Sequence, residues 1–325
     1  MPPGPHLNNE ASLPLILVTG ATGFVGRHLI AALSARGHAV RALVRRGALP
    51  DTIPNVEIRE IGDITQTNWP EALHGADAIV HLAAIAHRGS PRDEADANRV
   101  RSVNVSAVAE LTAAAGTLGV RRLILLSSIG VLGADSGNSA FDGSSAAAPH
   151  DFYSQSKLDA ERAAENAKAN TTLELCIVRP PLVYGPHAPG NFGRMIRWVA
   201  RGIPLPLGAI HNRRSLISVW NLCDCLINCL SNRGAVGYPL IVADEESIST
   251  SDLLRLCARL MGRPERLLPV PAALLRLAGG VLGRRADIER LCGSLVVNTR
   301  DTYLRTGWRA PNSLRDELRR ALTAR

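Results

Sequence analysis

The sequence predicts an α/β protein: a doubly wound parallel sheet with a smaller lobe interleaved towards its C-terminal end. Three observations carry this. Short apolar runs alternate with helix-length segments from Leu13 to about residue 186. A glycine-rich turn joins the first run to the first helical segment. After residue 186 the alternation gives way to Gly/Pro-punctuated and then mainly helical sequence.

Each element has a local reason. Leu13–Val18 is a short apolar strand, and Phe24–Arg36 carries Val25, Leu29, Ala32 and Leu33 at helical spacing. Ala39–Val44, Val56–Ile58, Ala78–Leu82, Leu123–Ser127 and Leu173–Val178 read as the following strands. Val100–Gly119 and Tyr153–Asn170 are expected helices. Phe192–Arg201 is a further helix, Tyr238–Val242 a strand returning to the sheet, and Ser313–Ala324 an Arg-rich last helix. The expected organisation is a loose tail over 1–12, a sheet domain over 13–186 with a returning strand at 238–243, and a second lobe from 187–237 and 244–325. Ser/Ala-rich 136–148 reads as a mobile loop.

Composition excludes several classes. Hydrophobic residues are 46% and charged residues 20% of 325, which is globular rather than disordered. The longest apolar stretch, Leu267 to Gly283, is interrupted by Pro269, Pro271 and Arg276, so no membrane span is expected. The first dozen residues hold three prolines and no basic region, so a cytoplasmic location is expected. The net charge of +8 comes from scattered arginines, which read as a solvated surface and not a nucleic-acid footprint. Cys176, Cys223, Cys225, Cys229, Cys257 and Cys292 match no metal spacing and read as free buried thiols; no metal is expected.

Two motifs carry chemistry. In Thr19-Gly20-Ala-Thr-Gly23-Phe24-Val25-Gly26, Gly20 permits a tight turn, Gly23 a close backbone approach to a pyrophosphate, and Gly26 close packing of helix on strand. Free N–H groups at the helix start would hold the phosphates. In Tyr153-Ser-Gln-Ser-Lys157 the two ends share one helical face. An ammonium ~4 Å from a phenol contributes roughly 4 kcal/mol at an effective dielectric near 20, enough to bring a phenol from about 10 towards neutrality. Four tyrosines and two lysines in 325 residues give only about 0.02 expected pairs at this spacing. Ser128, at the end of the fifth strand, could hydrogen-bond the reacting oxygen while Tyr153 moves its proton.

Together with Gly62-Asp63, His81-Leu82-Ala83-Ala84, Asn104, Ser127-Ser-Ile-Gly-Val-Leu-Gly133 and Arg179-Pro180-Pro-Leu-Val-Tyr-Gly-Pro186, these motifs resemble the extended short-chain dehydrogenase/reductase family over nearly the whole chain. The resemblance implies a Rossmann-type nucleotide-binding domain and an NAD(P)-dependent enzyme of nucleotide sugars. It assigns Ser128, Tyr153 and Lys157 to catalysis. Gly20, Gly23, Phe24, Val25, Gly26, Asp63, Ile64, Leu82, Ala83, Ala84, Asn104 and Pro180 would join Tyr153 and Lys157 around the cofactor. Asn191 and Arg214 fall on substrate positions, Arg214 on the arginine that clamps the diphosphate. Leu132 and Asn221 depart from the usual Tyr and Asp. A homodimer through 100–119 and 154–169 is implied as well.

The second strand ends Leu43-Val44-Arg45-Arg46, with no acid for ribose hydroxyls and two guanidiniums for a 2′-phosphate, which favours NADP(H) over NAD(H). Ile129 and Gly130 after Ser128 cannot move a proton, which argues against dehydration. The sequence therefore favours reduction of a UDP-4-keto-6-deoxy-hexosamine in surface-polysaccharide synthesis. The alternative is a UDP-hexose or UDP-N-acetylhexosamine 4-epimerase holding NAD. A silent NADP-binding regulator is a minor alternative, since Tyr153 and Lys157 are both kept.

Overall fold

The structure is a computed structural model that describes residues 14–45, 53–86, 91–281, 283 and 285–323. Strand β1 (Leu15–Thr19) leads through the glycine turn into α1 (Phe24–Ala35) and β2 (Ala39–Val44). Then follow β3 (Val56–Glu60), the short α2 (Trp69–Leu73), β4 (Ala78–His81), α3 (Glu94–Arg101) and α4 (Ala107–Thr117). β5 (Arg122–Leu126), α5 (Phe152–Ala167) and β6 (Glu174–Arg179) complete the alternating part. Beyond it lie β7 (Leu182–Tyr184), α6 (Gly190–Ala200), β8 (Arg214–Ser218), α7 (Val219–Cys229), β9 (Leu240–Ile241) and β10 (Ser247–Ile248). The chain ends in α8 (Thr250–Leu260), α9 (Ala272–Val281), α10 (Arg285–Cys292), α11 (Arg300–Thr306) and α12 (Leu314–Thr323).

Seven strands pair in the order β3-β2-β1-β4-β5-β6-β9, every pair parallel. This is the Rossmann-type sheet that the alternation predicts. Its faces follow from the two-residue period of a strand. Ile16 and Val18 point to one side with Leu29, Leu33 and Val178. Leu17 points to the other with Ile79, Leu111, Leu123 and Ala160. Because helices cover both faces, β1 and β4 are almost continuously buried.

The structure differs from the sequence reading in four places. The expected helix at 100–119 begins earlier, where Asp93 caps the Asp96 amide at 2.8 Å, and passes through a π-helical turn, Ser102–Ser106, before α4. Helix α7, assigned by sequence to the second lobe, packs on the sheet instead. Its Leu222, Cys225, Leu226 and Cys229 form a stripe at helical spacing that joins Ile16 and Leu29 in one cluster. β7, β8 and β10 form a second sheet in the order β10-β8-β7, from runs too short to stand out by periodicity. Finally, 136–148 is docked rather than loose. Its backbone pairs with 294–298 through Ser136 N to Ser294 O (2.8 Å), Phe141 N to Val296 O (2.8 Å) and Asn298 N to Phe141 O (2.8 Å). Such pairing with a distant segment leaves no local sequence signal.

Candidate active site

In a sheet ordered 3-2-1-4-5 the winding reverses between β1 and β4, and the crevice beyond their C-terminal ends is open to a ligand. The glycine turn lies there. Gly20 has φ +66°, and a Cβ on it would fall 2.7 Å from the Ala83 nitrogen and 2.8 Å from the Leu82 carbonyl carbon. A Cβ on Gly26 would fall 2.2 Å from the Gly20 oxygen. Gly23 caps α1 without a side chain, and no acid occupies the first turn. The amides of Phe24, Val25 and Gly26 therefore point out of the helix start with no capping group. That donor set, in a cradle closed to any side chain, fits a dinucleotide pyrophosphate.

The ends of β1 and β4 are tied together by Thr19, which is fully buried. Its hydroxyl oxygen accepts from the amides of Leu82 (3.2 Å) and Ala83 (3.3 Å), so its proton goes to His81 Nδ1 at 3.0 Å. The His81 proton is thereby placed on Nε2, which is buried without a partner. Burial, and next the Lys157 charge, hold the imidazole pKa down to about 3. A folded-state value below the unfolded one means that stability is present above pH ~6.5 and is lost as pH falls towards 3. Between pH 7 and pH 5 His81 alone should remove about 2 kcal/mol. Urea melts of wild type and His81→Gln at both pH values check this: the variant should lose less on acidification by about that amount.

Two other cofactor positions turn out to organise the loops around the crevice. Asn104, 1% exposed on the π-helical turn, accepts from the Ile85 amide (2.8 Å) and donates to Ile85 O (3.1 Å) and Ser156 Oγ (3.0 Å). Both amide hydrogens are spent on protein, so it positions the Leu82-Ala83-Ala84 loop against α5. Asp63 accepts from the Thr65 amide at 3.0 Å and from Arg99 at 2.5 Å, and these bonds pull its pKa to about 2. Ile64 beside it is buried. Arg45 is exposed immediately after β2, whereas Arg46 lies outside the described residues.

Helix α5 is started by Asp151, whose Oδ1 accepts from the Ser154 amide at 2.8 Å. Tyr153 sits in its first turn and Lys157, 4% exposed, one turn further on the same face. Ser128 caps the turn after β5, accepting from the Gly130 amide at 3.1 Å. Its hydroxyl proton is left for another acceptor. A Cβ on Gly130 would lie 2.6 Å from Ser154 Oγ and 3.3 Å from Ser128 Oγ, so this small residue lets the Ser128 turn close onto the start of α5. The Ile129 amide donates to the Pro180 carbonyl at 2.9 Å, which brings the end of β6 alongside. Buried Ser127 donates to Glu161, and Glu161 pairs with Arg179 at 2.5 Å.

The electrostatics correct one expectation. Burial, and then the Asp151 charge, raise the Tyr153 phenol to about 12 instead of lowering it. Burial takes Lys157 down to about 8 against the opposing charge of Glu161. No hydrogen bond joins the two side chains, and the Tyr153 hydroxyl has no partner among the described residues. Burial, which disfavours the charged phenolate, outweighs the attraction that the spacing of Tyr153 and Lys157 suggests.

The second lobe reaches this helix through residues that the motifs did not flag. Arg290 donates to Asp151 at 2.9 Å, and His150 Nε2 lies 3.3 Å from the same carboxylate. Burial raises the Asp151 pKa, but bonds from His150 and the Ser154 amide outweigh it, and the net direction is down. Arg214, half-buried at the start of β8, donates to the carbonyls of Arg290 (2.7 Å) and Gly293 (3.2 Å). A chain of contacts thus runs from Arg214 through Arg290 to the first turn of α5. Asn191, at the start of α6, accepts from Arg194 at 2.5 Å. An N-cap signature, Asp151 three residues before Ser154, was the one available hint of Asp151. Arg290 had none.

The chain matches the model of the NAD dependent epimerase/dehydratase family over residues 16–242. It is 33% identical to a UDP-glucose 4-epimerase of Vibrio cholerae, over 95% of this chain and 94% of that protein. It is 27% identical to a ceramide reductase of Caulobacter vibrioides, over 90% and 85%. Among solved structures, MoeE5 in complex with UDP-glucuronic acid and NAD superposes with a TM-score of 0.76 at 27% identity, covering 94% of this chain and 97% of that one.

Proposed function

Because the chain belongs to the NAD dependent epimerase/dehydratase family, we propose that it interconverts the C4 epimers of a UDP-hexose or UDP-N-acetylhexosamine. The observation that carries this is identity to a UDP-glucose 4-epimerase over 95% of the chain, which includes the second lobe. MoeE5, in its complex with a UDP-sugar and NAD, shares the fold across both lobes. Bound, an oxidised nicotinamide dinucleotide supplies a hydride acceptor and a positive charge that favours the phenolate. Tyr153 would take the C4 hydroxyl proton, and Ser128 would donate to the same oxygen. When the 4-keto group is reduced on its other face, Tyr153 would return the proton to the C4 oxygen. Lys157 keeps a positive charge in a site where burial opposes it, balanced by Glu161.

Purified enzyme given UDP-glucose or UDP-N-acetylglucosamine, and no added reductant, should yield the C4 epimer. The reading fails if no epimer forms while NADPH is consumed stoichiometrically with a UDP-4-keto-6-deoxy sugar. That outcome is the second reading, 4-keto reduction, which the exposed Arg45 and the absence of an acid at the end of β2 favour. A homodimer through α4 and α5 is part of the same proposal.

In this reading Arg214 holds the substrate diphosphate. A charge-assisted guanidinium–phosphate contact contributes about 1.5–3 kcal/mol. Arg214→Ala should therefore raise KM roughly 10–100-fold, with dinucleotide affinity unchanged, and Lys at 214 should restore only part. Equal UDP affinity for wild type and variant would remove Arg214 from the site.

A further inference from the structure

One buried carboxylate links the three elements that carry Ser128, the Tyr153–Lys157 face and Pro180. Glu161 stands on α5 one turn beyond Lys157, and each is only 4% exposed. Ser127, just after β5 and next to Ser128, donates to its Oε1. Arg179, the last residue of β6 and next to Pro180, donates from Nε to Oε1 at 2.9 Å and from Nη2 to Oε2 at 2.5 Å. Such a forked pair fixes the carboxylate in both position and direction. A buried ion pair adds little stability over apolar side chains of the same size, so its place in the interior points to another use.

What the carboxylate faces supplies that use. The Lys157 ammonium has no hydrogen bond or ion pair among the described residues, and burial works against its charge. The ionisable groups on the elements around it differ in what they offer. His81, at the end of β4, is neutral at neutral pH, because burial and the Lys157 charge hold its pKa down to about 3. Tyr153, one turn earlier on α5, is an uncharged phenol. The π-helical turn Ser102–Ser106 brings no ionisable residue, and Glu110 of α4 does not act on Lys157. Arg179 has its Nε and Nη2 on Glu161. The Glu161 carboxylate is therefore the one opposing charge among the described residues that acts on the ammonium.

We propose that Glu161 is a positioning residue of the catalytic pair: its carboxylate, aimed by Ser127 and Arg179, keeps the Lys157 ammonium charged so that it can act on the Tyr153 phenol. This rests on the reading of Tyr153 and Lys157 as the catalytic pair, and it holds for epimerisation and for reduction alike. The chain contains two lysines, Lys157 and Lys168, so isotope labelling of lysine gives two side-chain signals, which Lys168→Arg assigns. An NMR titration of the full chain then reads the charge on Lys157 directly, with no substrate present. Wild type should lose the Lys157 proton around pH 8. In Glu161→Gln the proton affinity of Lys157 should fall at least roughly tenfold, which moves the midpoint to about 7 or below. Glu161→Asp, which keeps the charge on a shorter arm, should regain most of that loss. The alkaline limb of the turnover profile should move down together with the midpoint. If Glu161→Gln does not fold because Arg179 is left unpaired, Glu161→Gln/Arg179→Met removes both charges and should show the same fall. An unchanged Lys157 midpoint in the folded variant overturns the proposal, and so does a loss of turnover that is equal at every pH. Wild type that turns over no UDP-sugar would overturn the proposed reaction and leave the titration to decide the role of Glu161.

Discussion

Replacing Tyr153 with Phe should lower turnover by roughly 10²–10⁴, the usual size of a positioned proton donor and acceptor. The substitution removes one oxygen from a hydroxyl with no protein partner among the described residues, so nothing in the fold depends on it. The ring keeps its place in the first turn of α5, where Asp151 and not Tyr153 caps the helix. Melting temperature and dinucleotide affinity should therefore stay near wild type while kcat collapses. Retention of most of the rate would show that the proton travels by another route, and His150, beside Asp151, would become the first group to test. A fall in dinucleotide affinity equal to the fall in kcat would place the phenol in binding rather than chemistry.

The second large effect is expected at Gly26. Alanine in a helix is ordinarily better than glycine by about 1 kcal/mol. At this position the new methyl would stand 2.2 Å from the Gly20 oxygen and 2.8 Å from the Ala21 oxygen. Both atoms are backbone and cannot rotate aside, so the turn must separate from the helix. Such overpacking costs about 1–3 kcal/mol, which outweighs the propensity gain. Gly26→Ala should lower stability in urea by that net amount and weaken dinucleotide binding at least tenfold, because the displaced turn is the one that presents the α1 amides. Gly23→Ala is the comparison: its Cβ meets the Gly20 oxygen only at 3.1 Å, and the loss should be smaller. Equal tolerance at both positions would mean that the turn relaxes freely.

The sequence alone determined the doubly wound sheet, the glycine turn and the Tyr153–Lys157 face, because each is written in spacing along one local segment. A two-residue period, a 3.6-residue period and a φ that only glycine adopts cheaply are properties of a few consecutive residues. Ser128 follows from its place at the end of the fifth strand, and the family resemblance gives it its role beside Tyr153. What only the tertiary structure decided lies between segments. Helix α7 belongs to the sheet core because its stripe meets Ile16 and Leu29, about 200 positions earlier. Asn104 ties the loop after β4 to α5, because Ile85 and Ser156 take both its hydrogens. Arg290 and Asp151 meet across 139 positions. The Tyr153 pKa moves up instead of down because the degree of burial belongs to the packed molecule and no spacing encodes it. Periodicity shows which face of a segment is apolar; only packing decides what that face, or a charge beside it, meets.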